Sequence, residues 1–318
     1  MKIILSDKCT NDAKSKLINQ LDDLIISTSG KVLSLRHELL EDEQLALSSK
    51  YQIIEYFTND QLPLVARAKS VMPELFEKFT VIAGPCSIES HEQMTEIAAA
   101  VAKSGAVALR GGAFKPRTST YDFQGLGLSG LMMMSEVAKK HQLLVVSEVT
   151  CIGNIKNMSP YVDIFQVGAR NMQNFALLKA LGQQSKPVLL KRAASATYFE
   201  FLAAAEYILA EGNSQVILCE RGTKSFEPQT RNTLDLSIVP ILRQFTKLPI
   251  IVDPSHAVGV SCAVPSLAKA AVAVGADGIM LEIHPEPEKS VSDAKQALSL
   301  TIYQKLILEI NKIIAALA

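Results

Sequence analysis

From about residue 80 onward, short apolar runs alternate with longer amphipathic stretches. A short apolar run bounded by polar residues predicts a buried strand, and an amphipathic stretch of about ten or more residues predicts a helix. Eight strands are predicted in this way: TVIAG at 80–84, VALRG at 107–111, LLVVSE at 143–148, DIFQVG at 163–168, PVLLKR at 187–192, QVILCERG at 215–222, PIIVDPS at 249–255 and GIMLEIH at 278–284. The helices predicted between them include HEQMTEIAAAVAKSG, NFALLKALG, YFEFLAAAEYILAEG and AVPSLAKAAVAVGA. Eight successive strand and helix units predict an α/β fold, the (β/α)8 TIM barrel.

An open, doubly wound sheet would show the same alternation of strands and helices. Both architectures bind ligands at the carboxyl ends of their parallel strands, so polar residues at those ends are the candidates for function in either case.

The first 70 residues have a different pattern. The segments KIILS, TNDAKSKLINQLDD, LIISTS, KVLSLR, EDEQLALSS and YQIIEYFT predict the order βαββαβ, which is that of a small ferredoxin-like α+β module. We therefore expect a module at 1–70 and a barrel at 71–318, with 59–79 forming a linker that contains a short helix. Such modules bind an effector or another subunit in some proteins and are inert in others, so the fold leaves regulation open.

The charges of the chain are balanced, with 32 Lys and Arg residues against 32 Asp and Glu residues. A neutral chain has no general attraction for nucleic acid or for an anionic membrane, so strong positive potential has to be local. The chain of 318 residues is 48% hydrophobic and 20% charged, which is typical of a globular protein long enough for one large barrel.

No run approaches the roughly 18 uninterrupted apolar residues that span a bilayer, and MKIILSDKCTND lacks the apolar region of a signal peptide. We therefore expect a cytoplasmic protein. The five cysteines are scattered and form no CxxC pair, which argues against a disulfide framework or a zinc knuckle.

A candidate metal site involves four residues near predicted strand ends. Cys86 follows Gly84 and Pro85 at the end of the first barrel strand, and the strings VDPSHA and LEIHPEP supply His256 and Glu282. Asp293, in the loop that follows, would complete a set of one sulfur, one nitrogen and two oxygen donors. Such a set suits a divalent transition metal such as Mn, Fe, Co or Zn without selecting one of them.

Two other uses of these residues remain open from the sequence. Cys86 and His256 could form a nucleophilic pair for acyl transfer, although the surplus of nearby cations favours an anionic substrate. His284 and Glu286 could replace one of the metal ligands, because residues 282 and 284 share a face of one strand.

Basic residues gather at the same predicted strand ends. In AFKPRTST, Lys115 and Arg117 flank a proline that restricts the loop, and Thr118 offers a hydroxyl donor. Four more cations end other strands: Arg110, Arg170, Lys191 and Arg221. So many like charges at one barrel mouth would repel one another without an anion to share, and arginine pairs well with carboxylate and phosphate oxygens. The pattern indicates a phosphorylated, acidic substrate.

Over about residues 80 to 300 the chain resembles 3-deoxy-D-arabino-heptulosonate 7-phosphate (DAHP) synthases, specifically their type Iβ branch. The strings that carry the resemblance, in the order of that family, are GPCSIES, LRGGAFKPRTSTYDFQGLG, QVGARNMQNF, PVLLKR, ILCERG, TRNTLDLS, VDPSHAVG and LEIHPEPEKSVSDAKQ. No string of residues 1–70 matches, although some members carry a ferredoxin-like regulatory module.

The resemblance implies a transferase that condenses phosphoenolpyruvate with D-erythrose 4-phosphate and water, giving DAHP and phosphate in the first step of the shikimate pathway to chorismate and the aromatic amino acids. It implies one divalent ion, Mn²⁺, Fe²⁺, Co²⁺ or Zn²⁺, on the four candidate ligands, and an assembly of several copies, usually four. For substrate binding it implies Arg110, Lys115 and Lys191 at the phosphoenolpyruvate carboxylate, Arg170, Lys191 and Arg221 at its phosphate, and Lys115, Pro116, Arg117 and Thr118 along the sugar phosphate, with Ala169 as a further substrate-binding residue.

Two residues are assigned to proton transfer and to water under this resemblance. Lys115 is the candidate for protonating the aldehyde oxygen, because it occurs in both substrate sets. Glu148, at the end of the third barrel strand, would orient the water that adds to the former enol carbon, and it could also form a salt bridge with the surrounding cations.

Two alternative functions differ in identifiable features. The related 3-deoxy-octulosonate 8-phosphate synthases use arabinose 5-phosphate and typically have KANRSS where this chain has KPRTST. A non-catalytic regulator built on the same barrel would be expected to have lost metal or cation positions, and all of them are retained here.

Overall fold

The structure is a computed structural model that describes residues 1–5, 9–29, 32–51, 54–58, 61–68, 72–117 and 119–317. Thr118, one of the predicted sugar-phosphate contacts, lies outside the described residues. In the described part of the chain, no helix is long and apolar enough to cross a membrane.

The described strands are β1 (Lys2–Leu5), β2 (Ile25–Ser29), β3 (Val32–Leu35), β4 (Ile54–Phe57), β5 (Thr80–Gly84), β6 (Ala108–Arg110), β7 (Leu144–Glu148), β8 (Ile164–Val167), β9 (Val188–Lys191), β10 (Val216–Glu220), β11 (Ile250–Val252), β12 (Gly278–His284) and β13 (Leu298–Ser299). The described α-helices are α1 (Asn11–Gln20), α2 (Glu41–Tyr51), α3 (Pro63–Arg67), α4 (Pro73–Phe76), α5 (His91–Lys103), α6 (Gly127–Lys140), α7 (Ile152–Met158), α8 (Phe175–Gly182), α9 (Tyr198–Ala210), α10 (Ile238–Leu242), α11 (Pro254–Val258), α12 (Val264–Ala273) and α13 (Leu300–Leu317).

The amino-terminal module has the predicted βαββαβ order. Its antiparallel sheet has the strand order β2-β3-β1-β4. The apolar faces of β1 and β3 pack against α1 and α2 in a separate small core that includes Ile3, Leu17, Leu33 and Leu47. The predicted ferredoxin-like module is therefore confirmed.

The eight predicted barrel strands are β5 to β12, and all of them pair in parallel with their neighbours. Pairing of β11 with β12 closes the sheet, since Ile251 lies opposite Gly278. Closure excludes the open doubly wound sheet and confirms the (β/α)8 barrel.

The barrel interior is filled with apolar side chains from every strand. One cluster contains Ile82, Ala108, Val146, Ile164, Leu189, Ile217, Cys219, Ile251 and Met280. Leu75 of α4 belongs to the same cluster, and since α4 precedes β5 directly it covers the amino-terminal end of the barrel. The interior is thus packed below, and the carboxyl ends of the strands form the open mouth.

Helix α3, in the predicted linker, packs against the barrel. Val65 belongs to the main core between strands and helices, and the Glu206 carboxylate of α9 accepts the backbone N–H groups of Leu64 (2.9 Å) and Val65 (2.7 Å). Thr246 donates to the carbonyl of Val65 (2.8 Å). These contacts attach the linker helix to the barrel, while the predicted boundary at residue 70 stays a prediction.

Candidate active site

Strand periodicity brings polar side chains to the barrel mouth. Side chains two positions apart share one face of a strand, so residues two beyond an interior apolar residue also point inward. The interior residues Ala108, Val146, Ile164, Leu189, Ile251 and Met280 are followed in this way by Arg110, Glu148, Gln166, Lys191, Asp253 and Glu282. The sequence predicted Arg110, Glu148, Lys191 and Glu282 at these strand ends, and closure of the barrel turns all six side chains towards one another.

The four predicted metal ligands form one group. One donor atom from each of Cys86, His256, Glu282 and Asp293 lies within 4.8 Å of the other three. The Cys86 Sγ is 3.1 Å from Asp293 Oδ2, and the His256 Nε2 is 3.0 Å from Glu282 Oε1. Glu282 and Cys86 are buried, and the other two ligands are partly exposed towards the mouth.

His256 is oriented by its position in the first turn of α11. Asp253 caps this helix: its Oδ1 accepts the His256 backbone N–H (3.0 Å), while Oδ2 lies 2.7 Å from His256 Nδ1. The ring is thereby fixed with Nε2 facing the other ligands. Burial lowers the pKa of His256, but the carboxylates of Asp253 and Glu282 outweigh it and raise this pKa to about 9.

Glu282 is surrounded by hydrogen-bond donors. Arg110 Nη1 donates to its Oε1 (2.7 Å), and the buried Gln296 amide donates to its Oε2. Burial would raise the pKa of Glu282, but His256 and Arg110 hold it well below its ordinary value. The carboxylate is therefore ionised and available as a ligand at neutral pH.

The Cys86 sulfur has polar neighbours on several sides. Lys115 Nζ lies 3.0 Å from Sγ and also donates to the Cys86 carbonyl (2.9 Å). The Ser292 hydroxyl lies 2.9 Å from the same sulfur, and Arg117 Nη2 donates to the Ser292 oxygen at 2.5 Å. The sulfur thus lies within hydrogen-bond distance of an ammonium, a hydroxyl and the Asp293 carboxylate.

Asp293 reaches the group from the loop after β12. Its backbone is left-handed, with φ 56°, and its Oδ1 pairs with Arg231 Nη2 at 3.0 Å. Burial and Glu282 would raise the pKa of Asp293, but His256, Cys86 and Arg231 lower it below the ordinary value.

The donor set fits a divalent transition metal. It offers one sulfur, one imidazole nitrogen and two carboxylate oxygens on four separate segments, and a cation between them would satisfy several negative charges held close together. The alternative ligands lie elsewhere: His284 Nε2 is 3.3 Å from Glu89, and Glu286 pairs with Lys289 at 2.5 Å.

A cavity of about 320 Å³ adjoins these ligands at the mouth. The predicted substrate-binding residues that line it are Lys115, Pro116, Arg117, Ala169, Arg170, Lys191 and Arg221, and Glu148, His256 and Asp293 line it as well. Arg110 is the exception, because its guanidinium lies beneath the cavity and bonds to Glu282 and to the Pro85 carbonyl (2.8 Å). Six cationic side chains against three carboxylates among the described lining residues make this an anion site.

Neighbouring groups hold the cavity cations in place. Arg170 Nη1 donates to the Pro116 carbonyl (2.6 Å), Lys191 Nζ pairs with Asp253 Oδ2 (2.5 Å), and Arg117 Nε donates to the Phe123 carbonyl (3.1 Å). Burial lowers the pKa of Arg221, which favours an anionic partner for it.

The Glu148 carboxylate packs directly against the backbone of Gly168 and lines the cavity. A Cβ at Gly168 would lie 2.0 Å from Glu148 Oε1, so only glycine leaves room for this carboxylate. Gln166 Nε2 lies 3.5 Å from the other oxygen. The carboxylate therefore projects over the mouth beside Arg170 and Lys191, where it also lines the cavity.

Four functional candidates were missed from the sequence. Arg231, Gln166 and Asp122 line the cavity, and Asp253 connects Lys191 with His256. Asp253 and Arg231 occur in the quoted strings VDPSHAVG and TRNTLDLS, so the signal was present. No role could be assigned to these two residues from the sequence, because only the fold shows which residues near a strand end point into the barrel.

A larger cavity, of about 740 Å³, lies away from the barrel mouth between the linker and α9 and α10. Its lining is mainly apolar, with Leu62, Val65, Phe199 and Phe245, and it contains none of the candidate catalytic groups. Volume alone therefore does not identify the active site here.

Comparison with known proteins agrees with this geometry. The DAHP synthetase I family matches residues 74–315. The chain belongs to this family. A phospho-2-dehydro-3-deoxyheptonate aldolase of Thermotoga maritima is 52% identical over 239 residues, which cover 75% of this chain and 71% of the relative. A 2-dehydro-3-deoxyphosphooctonate aldolase of Rhodopseudomonas palustris is only 32% identical, over 72% of this chain and 85% of its own.

A solved structure extends the similarity to the amino-terminal module. The phospho-2-dehydro-3-deoxyheptonate aldolase (DAHP synthase) of T. maritima has a TM-score of 0.76 and 38% identity, covering 99% of this chain and 98% of that one. Residues 1–70 gave no matching string, yet the similarity spans them, because a fold persists after its sequence has diverged.

Proposed function

We propose that this protein is a DAHP synthase that condenses phosphoenolpyruvate with erythrose 4-phosphate and water, releasing phosphate, as the entry reaction of the shikimate pathway. The single observation that carries the proposal is the four-ligand group directly beside a cavity with six cations. A metal donor set for the aldehyde and an anion site for two phosphates are what this condensation requires.

A divalent ion fits Cys86, His256, Glu282 and Asp293, and Mn²⁺, Fe²⁺, Co²⁺ and Zn²⁺ are the candidates. When bound, such an ion supplies Lewis acidity towards the aldehyde oxygen of the sugar. The neighbouring Lys115, 3.0 Å from the Cys86 sulfur, is placed to donate a proton to that oxygen.

Phosphoenolpyruvate is assigned to the deeper part of the cavity. Lys191 would contact both its carboxylate and its phosphate, with Lys115 and Arg110 on the carboxylate side and Arg170 and Arg221 on the phosphate side. Arg110 now bonds to Glu282, so we expect it to act mainly through its charge and through that carboxylate.

The sugar phosphate is assigned to the loop at 115–118 and Ala169. Arg117 and Pro116 line the cavity near its rim, and Arg117 would hold the sugar phosphate. Thr118, outside the described residues, keeps its proposed role in the same loop.

The proposed sequence of bonds uses the enol carbon as nucleophile. That carbon attacks the aldehyde carbon, Lys115 protonates the resulting alkoxide, and positive character develops at the carbon that bears the phosphate. Glu148 orients the water that adds to this carbon. The bond between this carbon and the phosphate oxygen then breaks to leave a ketone; one proton of the water leaves with the phosphate and the other restores Lys115. We expect Lys115→Ala to lower kcat by about 10²- to 10⁴-fold, because the variant lacks the proposed general acid. The rate of phosphate release measures this loss.

Regulation, assembly and location are not decided by these residues. We propose that the module at 1–70 is the part through which any effector acts, and that the protein forms homo-oligomers, with a tetramer favoured. A cytoplasmic location, and the absence of nucleic-acid or membrane partners, stay predictions of the sequence.

The deciding experiment is phosphoenolpyruvate consumption with erythrose 4-phosphate or arabinose 5-phosphate, with added Mn²⁺ and after chelation. Turnover with the four-carbon sugar, lost on chelation and restored by metal, is the expected result. Preference for the five-carbon sugar would make the protein an octulosonate 8-phosphate synthase, and no turnover with either sugar would support a non-catalytic role.

A further inference from the structure

Arg192 is a buried cation that points away from the barrel mouth. It follows Lys191 at the end of β9, and because side chains alternate along a strand, Lys191 faces the mouth while Arg192 faces the surrounding layer of loops and helices. Only 5% of Arg192 is exposed, and its Nε donates to the Ala196 carbonyl (2.9 Å). The reaction proposed above does not use this residue.

Two carboxylates bind one end of the Arg192 guanidinium. Nη1 lies 3.0 Å from Glu220 Oε2 and 3.0 Å from Asp235 Oδ2. The ring of Tyr198 covers the guanidinium, with 4.8 Å from Cζ to the ring centroid, and its hydroxyl donates to Asp235 at 2.8 Å. Ser237 donates to the other oxygen of Asp235.

Glu220 is fixed further by the chain beyond it. Its Oε1 accepts the Gly222 backbone N–H (2.6 Å), and none of its surface is exposed. Burial raises the pKa of Glu220, while the Arg192 charge opposes that rise. For Asp235, burial acts in the same direction, but hydrogen bonds from Ser237 and Tyr198 bring its pKa below the ordinary value.

The cluster of Arg192, Glu220 and Asp235, here called the Arg192 cluster, joins three separate segments. Each of these segments also carries one cation that lines the anion cavity. In two segments this cation is the direct sequence neighbour of a cluster residue, and in the third it lies four residues away. The cations are Lys191 beside Arg192, Arg221 beside Glu220 and Arg231 four residues before Asp235.

The loop that carries Arg231 is also tied to its neighbours by backbone bonds. Thr223 and Thr233 form an antiparallel bridge, and Lys224 N–H donates to the Ala194 carbonyl (2.8 Å). With its amide turned so that the oxygen faces Arg221, Asn232 accepts from Arg221 Nη1 at 2.9 Å and donates to the Arg231 carbonyl at 3.2 Å. The Asn232 side chain therefore connects the Arg221 guanidinium with the backbone at Arg231, on the segment that also carries Asp235.

We propose that the Arg192 cluster is a positioning device that fixes the cavity cations Lys191, Arg221 and Arg231 relative to one another, so that Lys191 and Arg221 keep the spacing that phosphoenolpyruvate requires, and that Asp235 is the residue of this cluster on which the spacing depends most. This inference rests on the proposed assignment of phosphoenolpyruvate to the cavity. If the Asp235 carboxylate is removed, the ion pair between Arg192 and Glu220 remains. The segment that carries Arg231, however, loses its bond to Arg192.

The sign of the effect separates positioning from charge alone. Asp235 is negative and lies near an anion site, so a change to a neutral residue would strengthen anion binding if only its charge mattered. If the residue positions the cations, the same change weakens binding despite the more positive field. A misplacement of about 1 Å in a binding group can cost on the order of 100-fold, so a partial loss of order should be measurable.

The test compares Asp235→Asn and Asp235→Ala with the parent enzyme, in the full-length protein. We expect KM for phosphoenolpyruvate, and its Kd by calorimetry without metal or sugar, to rise about tenfold. We expect kcat and KM for erythrose 4-phosphate to change less than twofold. Glu227→Gln is the matched control, because Glu227 lies exposed on the same loop, its carboxylate accepts only from Gln229 N–H within the described contacts, and it carries the same charge.

Tighter or unchanged phosphoenolpyruvate binding in both Asp235 variants would overturn the inference, and so would a loss confined to thermal stability or kcat. Arg221→Ala tests the assignment of phosphoenolpyruvate to the cavity, on which this inference rests. If that variant binds phosphoenolpyruvate as the parent does, the proposed substrate placement is wrong; if it binds weakly while the Asp235 variants do not, only the positioning role fails.

Discussion

Asp253 connects the two chemical halves of the site through a single carboxylate. Its Oδ2 lies 2.5 Å from Lys191 Nζ, which we propose for phosphoenolpyruvate, and 2.7 Å from the Nδ1 of the proposed metal ligand His256. Its pKa is held well below the ordinary value: burial opposes this, but His256 and Lys191 outweigh burial. One residue thus sets the ring orientation of a ligand and the position of a substrate cation.

We predict that Asp253→Asn lowers Mn²⁺ affinity by about 10- to 100-fold, because the imidazole loses its anionic partner while the amide still caps α11. KM for phosphoenolpyruvate should rise in the same variant, since Lys191 loses its ion pair. Calorimetric Mn²⁺ titration measures the first effect and steady-state kinetics the second. Asp277→Asn is the control, because that carboxylate precedes β12 at the other end of the barrel and accepts from Ile250 N–H. Equal Mn²⁺ affinity in both variants would contradict the prediction.

The pKa of His256 predicts how metal affinity depends on pH. In the metal-free protein this pKa is raised to about 9, so near neutral pH the ring carries a proton that an incoming ion must displace. The apparent Mn²⁺ affinity should therefore weaken as pH falls below 9, by about tenfold per pH unit for this one proton, and level off above it. Titrations at pH 7, 8 and 9 in buffers of different ionisation heat would measure the proton released. An affinity that stays constant from pH 7 to 9 would be inconsistent with a protonated ring.

At the scale of elements, the loop after β12 is held in place from the other side of the mouth. Glu89, in the loop after β5, accepts from Ser290 Oγ (3.2 Å) and from Val291 N–H (3.2 Å) through the same oxygen. These contacts fix the turn just before Ser292 and Asp293. Loops after the first and last barrel strands are neighbours because β12 pairs with β5.

We predict that Glu89→Ala weakens Mn²⁺ binding about tenfold although Glu89 touches no metal ligand, since the left-handed backbone at Asp293 is maintained by its surroundings. Electron paramagnetic resonance of free Mn²⁺ gives the affinity. Glu286→Ala removes a carboxylate from the same loop that pairs only with the exposed Lys289 in the described contacts, and it should bind Mn²⁺ as the parent does. A tenfold loss in both variants would point to a general effect of charge.

At the scale of the whole molecule, the barrel contains every described residue proposed for chemistry, and the linker helix α3 belongs to it structurally. Val65 is 1% exposed and sits in the barrel core, and the Glu206 carboxylate receives two backbone N–H groups of α3. Burial raises the pKa of Glu206, although those two donors oppose the rise. Loss of α3 would expose this apolar contact and remove the donors.

We predict that a chain beginning at Gln61 keeps kcat near that of the full protein, whereas a chain beginning at Met72 is less stable by about 2 to 4 kcal/mol because it loses Val65 and the bonds to Glu206. Urea unfolding of the two truncated proteins measures the difference. Equal stabilities would favour the boundary near residue 70 that the sequence predicted.

The sequence by itself determined the eight strands, their order, the module's βαββαβ order and the identity of the four candidate ligands. Periodicity and composition are local properties, and a buried parallel strand has to be apolar wherever it lies in the chain. A local pattern does not show which distant side chains a residue contacts. For this reason Asp253 and Arg231 lay within recognised motifs but were given no role.

Only the tertiary structure decided which side chains meet. Pairing of β12 with β5 brings Cys86 beside Asp293, at 3.1 Å, across more than two hundred residues of chain. Alternation of side chains along β9 within the closed barrel directs Lys191 into the mouth and Arg192 out of it, where Arg192 joins Glu220 and Asp235. Distances between segments far apart in sequence depend on sheet closure and packing, and no local pattern of residues contains them.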